Sequence, residues 1–234
     1  MTNAPRFIHL RTHTEYSLLE GALRLKKLPD LCKANDMPAI AVTDTNAMFS
    51  ALEFSVTLSG AGIQPIIGCQ VDLTFEKTEP GERPKAPAPI VLLAQNEEGY
   101  EHLMKLSSCL YVDKGGQLPQ VTLEDLEVNS AGLICLSGGP DGPVGQLLQQ
   151  GQRPAAEALM QRLKAIYPDR LYVELQRHPG EDGQPDAEKL TERGHVEMAY
   201  AMELPLVATN DVYFPKLTKQ VIALKNKILK PHTN

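Results

Sequence analysis

The chain begins to declare its fold at Phe7-Ile8-His9-Leu10-Arg11-Thr12-His13-Thr14-Glu15-Tyr16-Ser17-Leu18-Leu19-Glu20-Gly21. Phe7, Ile8 and Leu10 are apolar and strand-like, and residues 6–11 read as a first strand. Polar groups follow at once, among them His13 and Glu20. In α/β barrels and open α/β sheets, ligands gather where strands end, so a histidine and a carboxylate there invite a metal-site reading. Arg11 opposes it, because a permanent cation two residues from His13 would repel a metal. The bland readings of the same residues are a loop histidine at His13 and a turn at Glu20-Gly21.

Outward from that stretch, strands alternate with helices. Pro29 can occupy the first turn of a helix running to about Asn35, with Leu28, Leu31 and Cys32 inward. Residues 39–43 form a short apolar strand that ends in Asp44-Thr45-Asn46. A helix over 47–58 should carry Met48, Leu52 and Val56 on one stripe, with Gly60 and Gly62 stopping it. Strands follow at 65–73, 90–94, 133–136, 171–176 and 206–208. Asn96 should cap a helix holding Leu103, Met104 and Leu106, and Thr122 with Asp125 has the spacing of a helix cap. A helix over 154–167 should turn Ala158, Leu159, Leu163 and Ile166 inward, and residues 186–202 form the last one of the body. Strand-helix alternation implies parallel pairing with right-handed crossovers, and some seven strands favour a closed or nearly closed barrel.

The domain plan is a barrel over 1–215 and a basic helical tail over 216–234. Residues 76–89 are rich in proline and charge and should form an exposed, hairpin-like excursion rather than a boundary. The tail carries Lys216, Lys219, Lys225, Lys227 and Lys230 with no acid, and Leu217, Val221, Leu224 and Ile228 fall on one helical face. Such a helix can touch DNA or a membrane surface, but packing against the barrel is the simpler expectation.

Composition narrows the class. The 234 residues are 42% hydrophobic and 22% charged, ordinary for a globular protein, and the net charge of −6 argues against sequence-independent nucleic-acid binding by the body of the domain. Cys32, Cys69, Cys109 and Cys135 lack CxxC spacing and sit in apolar surroundings, as buried reduced thiols of a cytoplasmic protein do. No window approaches the roughly 18 apolar residues of a membrane span, and the N-terminus lacks the apolar core of a signal peptide.

Five polar clusters fall just past strands: His13 with Glu20, Asp44, Gln70, His178 and Asp211. In a parallel barrel these ends meet on one face, and His with Asp/Glu converging from several strands is how metal-dependent hydrolases lower the pKa of a bound water. Asp44 can equally cap the helix that follows it. Gly138-Gly139 resembles a phosphate cradle without the lysine and spacing of a P-loop.

Seven colinear motifs carry a resemblance: FIHLRTHTEYSLLEGA, AIAVTDTNAMFSALEF, GIQPIIGC, IVLLAQNEEGYEHLMKLSS, GLICLSGG, LYVELQRH and LPLVATNDVYF. Together they resemble the PHP (polymerase and histidinol phosphatase) domain, in the form found at the N-terminus of the bacterial replicative DNA polymerase III alpha subunit. The resemblance implies a distorted seven-stranded TIM-like α/β barrel. Active members hold a trinuclear cluster of zinc or manganese and hydrolyse phosphoesters, some as 3′–5′ exonucleases. In silent members the domain stabilises the polymerase and docks the separate proofreading exonuclease subunit.

Against the active pattern, His13, Glu20, Asp44, His178 and Asp211 survive as ligand positions. Glu20 stands where active members have Asp. Arg11, Thr45, Gln70, Pro89, Gly139 and Tyr213 stand where they have other ligands. The loss of a charge at Gln70 and the gain of a cation at Arg11 both weaken attraction for a divalent metal. The expectation is therefore a vestigial site with no cofactor bound, zinc or manganese being the metals if any is. Arg11 would fill the metal's place, paired with Asp44, Glu20 or Asp211. The partners implied are the rest of the alpha chain and the exonuclease subunit, with DNA only through the full polymerase and no membrane. An active phosphoesterase or 3′–5′ exonuclease, and a stand-alone protein binding a replisome partner, are the alternatives.

Overall fold

A computed structural model of the chain describes residues 7–76, 86–112, 119–178 and 187–214. Seven strands form one sheet: β1 (Ala39–Val42), β2 (Gln64–Thr74), β3 (Ala88–Ala94), β4 (Val121–Thr122), β5 (Leu133–Leu136), β6 (Leu171–Leu175) and β7 (Leu206–Ala208). Their order is β1-β2-β3-β5-β6-β7, with β4 added beside β2. Seven helices accompany them: α1 (Leu28–Ala34), α2 (Ala51–Gly60), α3 (Glu97–Cys109), α4 (Leu123–Val128), α5 (Pro143–Gln149), α6 (Arg153–Ile166) and α7 (Ala187–Ala201).

The sheet is curled into a distorted barrel, and the N-terminal segment joins its two edges. Residues 7–14 are not the continuous strand expected over 6–11; they make isolated bridges instead. Ala41 N donates to His9 O (2.8 Å) and Thr43 N to Thr12 O (2.9 Å) on the β1 side, while His13 N donates to Val212 O (2.8 Å) just past β7. Strand pairing is mixed rather than all parallel. β1-β2, β5-β6 and β6-β7 are parallel, but β3 runs antiparallel to both β2 and β5. The cause is the connection after β2. Parallel neighbours need a crossover of a dozen or more residues, usually helical, whereas the segment leading to β3 is rich in proline and charge. Ala88 and Pro89, placed by sequence in that excursion, belong to β3, and Ala88 is buried. Residues 77–85 and the basic tail lie outside the described residues.

Alternation along the strands separates two cores. Ala41, Val91, Leu93 and Leu136 fill the barrel interior with Ile66, Tyr172 and Val207. The opposite faces, such as Cys69, Val71, Leu73, Ile90 and Leu92, pack under the helices with Leu103, Leu106, Met160, Leu163 and Tyr167. Helix faces depart from expectation in three places. α2 begins at Ala51 and turns Ala51, Phe54 and Leu58 inward, leaving Leu52 and Val56 exposed. In α6 the inner face uses Ala156 and Met160, not Ala158. Met104 on α3 lies at the surface. The caps match: Asn96 Oδ1 accepts from Gly99 N, and Thr122 and Asp125 form a reciprocal capping box.

Candidate functional site at the barrel mouth

Period-two alternation sends Gln70 on β2 and Glu174 on β6 to the interior, in line with Ile66 and Tyr172 and nearer the mouth. Between them lies Arg11, brought in by the N-terminal segment and only 2% exposed. Its Nε and Nη2 both donate to Gln70 Oε1, at 3.1 and 2.7 Å. Nη1 reaches Gly138 O at 3.4 Å and Glu174 Oε1 at 3.5 Å, and Nε lies 3.1 Å from Asp211 Oδ1. One guanidinium thus ties β2, the turn after β5, β6 and the segment after β7. Of the three carboxylates expected to pair with Arg11, only Asp211 does so; the second ion partner is Glu174, which the sequence reading did not single out.

Glu174 is fully buried and saturated. It accepts from Gly138 N (3.0 Å), Gln176 Nε2 (3.1 Å) and the Thr209 hydroxyl, besides facing Arg11. Its signal in sequence was a lone acid at an inward position of the apolar strand Leu171-Tyr172-Val173-Glu174-Leu175. Gly138, at φ 86°, is the glycine that the turn requires, since a Cβ there would sit 2.0 Å from Pro89 O. Gly139, the substituted ligand position, faces Gln176. Desolvation opposes the charge on Arg11, but Glu174 and then Asp211 outweigh it and raise its pKa. At Asp211, burial works toward a higher pKa; the hydrogen bond from His13 and the charge of Arg11 overcome it and hold the carboxyl below its usual range.

His13 is fully buried between Asp211, 2.9 Å from its Nε2, and Thr45, whose Oγ1 is 3.2 Å from its Nδ1. The Tyr213 ring stacks on it at 4.2 Å between centroids and 7° between planes. Thr45 donates to Glu20 at 2.6 Å, so the exposed Glu20 reaches His13 only through a hydroxyl. Glu20-Gly21 is also a turn, with Gly21 N bonded to Ser17 O at 2.9 Å.

Asp44 is placed differently. It accepts from Thr14 N (2.6 Å), Thr14 Oγ1 (2.8 Å), Ser17 Oγ (2.8 Å) and Ser50 Oγ (2.6 Å). It thereby pins the 14–21 turn to the start of α2 rather than capping that helix itself. His178 stands apart from Arg11, with its backbone N (2.6 Å) and Nδ1 both on Glu188; that hydrogen bond raises its pKa against the opposing effect of burial. Burial raises the pKa of Asp141 nearby, while Arg11 pulls it the other way.

The donor set does not suit a metal cluster. Nδ1 of His13 is engaged by Thr45, both oxygens of Asp44 are engaged, and Asp211 Oδ1 stands within 3.1 Å of both His13 Nε2 and the Arg11 guanidinium. Among the described residues, no three His, Cys, Asp or Glu side chains stand together as a metal would need.

A closed α/β barrel with its polar residues at one mouth defines a class, and comparison with known proteins settles which. The PHP domain family model matches residues 9–178, and the chain belongs to that family. Its curated relatives include the DNA polymerase III subunit alpha of Caulobacter vibrioides, 43% identical over 212 residues covering 90% of this chain. The same subunit of Pseudomonas fluorescens is 41% identical over 212 residues. This chain spans only 18% and 17% of those relatives. A Bifidobacterium adolescentis structure, described as a metal-dependent phosphoesterase, shares the fold with a TM-score of 0.56 at 11% identity, covering 92% of this chain and 91% of that one.

Proposed function

We propose that this chain is the PHP domain of a bacterial replicative DNA polymerase, of the DNA polymerase III alpha type. Its ancestral phosphoesterase site is occupied by its own arginine. The observation that carries the reading is the Arg11 guanidinium, buried and bonded to Gln70, Gly138, Glu174 and Asp211 where the family would gather metals. A resident cation of fixed geometry neutralises the carboxylates that would attract zinc or manganese, and it cannot activate a water. His13, Glu20, Asp44, His178 and Asp211 are on this reading retained ligand positions with structural partners. The domain, over residues 1–215, then serves to stabilise the polymerase chain and to dock its proofreading exonuclease subunit. The identity to polymerase alpha subunits supports the first role. A place in the cytoplasm with the replication machinery follows from it.

Elemental analysis of the purified chain and a nuclease assay on a mismatched primer test this. The expected result is less than stoichiometric zinc, manganese or iron, no 3′–5′ cleavage, and a thermal midpoint indifferent to chelator. Stoichiometric metal with chelator-sensitive cleavage would establish an active hydrolase instead. Co-purification with the exonuclease subunit tests docking, and failure to bind at micromolar concentration counts against it.

A further inference from the structure

We propose that the basic C-terminal tail, residues 215–234, lays an amphipathic helix in a groove between the start of β2 and α3, at the end of the barrel opposite the mouth. The inference does not rest on the reading of the mouth. Helices ordinarily cover the outer face of a barrel strand. Along β2 that cover is uneven. Residues 68–71 are buried, whereas Pro65, Ile66 and Ile67 at its start are only half-buried. Across a groove of about 580 Å³ they face Tyr100 and Met104 of α3. Met104 is 43% exposed there. Ile67 packs against both of the larger hydrophobic clusters, so the groove marks the seam where they meet. Glu97 and Glu101 stand along it, and among the described residues that line it none is basic.

The tail fits this groove in charge, spacing and position. It carries Lys216, Lys219, Lys225, Lys227 and Lys230 and no acid, against a groove whose charges are both negative. Leu217, Val221, Leu224 and Ile228 recur at the spacing by which a helix anchors in an apolar groove. Lysine stems beside them can lie along the walls and bring their ammonium groups to the carboxylates. Phe214, the last described residue before the tail, lines a small crevice with Met37 and Ile40. Next to them, Pro38 O accepts from Gln64 N at 2.9 Å, and Gln64 lines the groove. The root of the tail is therefore separated from the groove by the start of β1. A helix over residues 217–228 would run about 18 Å. Tethering holds such a segment at an effective concentration on the order of 1 mM, so weak contacts suffice to seat it.

Carbodiimide cross-linking of the 234-residue chain joins a lysine amine to a carboxylate that it touches, and mass spectrometry of the monomer fraction reads the docking. Tail lysines should link to Glu97 or Glu101, in a yield that falls as salt is raised. Hydrogen exchange gives a second reading. Amides of residues 217–228 should exchange at least about tenfold slower than in a free peptide. Val221→Ser/Leu224→Ser should return them to the free rate, and so should Met104→Glu on the groove wall. The first variant changes only the tail, and thermal melting checks that the barrel is intact in both. No links, links only to carboxylates elsewhere, or links only between chains overturn the proposal. Tail amides that exchange at the free rate in the parent chain overturn it too, as does protection that survives both variants.

Discussion

Removing the Arg11 guanidinium leaves Glu174 and Asp211 without the cation that both approach. Breaking a buried ion pair by deleting one partner costs about 3–5 kcal/mol, and Arg11→Met should lose that much in urea unfolding. Adding Glu174→Gln to Arg11→Met should recover part of the loss; equal destabilisation in single and double variants would show that the two do not interact. A second residue-scale prediction concerns acid. Burial lowers the pKa of His9 and His195 to about 4 from the ordinary 6.5. Below pH 6.5 the unfolded chain takes up protons that the folded chain refuses, so stability falls as pH drops from 6.5 to 4, by roughly 3 kcal/mol per histidine. Asp211 adds to the loss at lower pH, because its depressed pKa stabilises the fold above the unfolded value and ceases to as pH falls through the folded one. His178 works the other way. Its raised pKa gives stability below 6.5 that fades as pH rises through the folded value. A His195→Gln chain should show a shallower slope of unfolding free energy between pH 6.5 and 4.

At the scale of elements, two glycines in helices make opposite predictions. A Cβ on Gly60, at the end of α2, would meet nothing within 4 Å, so Gly60→Ala should stabilise by up to about 1 kcal/mol. A Cβ on Gly99 in α3 would lie 1.8 Å from Gly132 O, and Gly99→Ala should cost about 1–3 kcal/mol despite alanine's better helix propensity. Thermal melts of the two variants should move in opposite directions. Helix ends were the most legible part of the sequence, because Asn96 and the Thr122-Asp125 pair act on backbone groups within three residues of themselves. Helix faces were less so. α2 has apolar residues on both sides, and spacing alone cannot say which side meets the sheet. Strand direction was hidden for a related reason: alternation is the same for parallel and antiparallel strands, and only the proline- and charge-rich sequence before β3 distinguished them.

The molecule as a whole depends on its closure. Thr43 Oγ1 accepts from Thr12 N (2.8 Å), and Thr43 N donates to Thr12 O (2.9 Å), joining β1 to the N-terminal segment. Thr43→Val keeps the shape but strands the Thr12 amide in a buried place, at about 1–3 kcal/mol. Amide exchange should rise in residues 9–14 before it rises in β2 or β3; uniform loss of protection would mean that closure is not a separate unit. Arg11 and Thr12 lie side by side in the closing segment, so the residue that fills the mouth and the residue that seals the wall are positioned by one stretch of chain.

Local chemistry let the sequence alone determine the alternation of strands and helices and the caps, and its colinear motifs carried the family. It also marked Arg11 as the residue at odds with a metal site. Tertiary structure decided the partners. Glu174 lies 163 positions beyond Arg11 and meets it only because the barrel closes. Asp44 turns to Thr14, Ser17 and Ser50 rather than to Arg11 because the 14–21 turn reaches it first. Pairing across a barrel depends on register, curvature and closure. Those are set by the packing of every strand at once, and no spacing within a single strand records them.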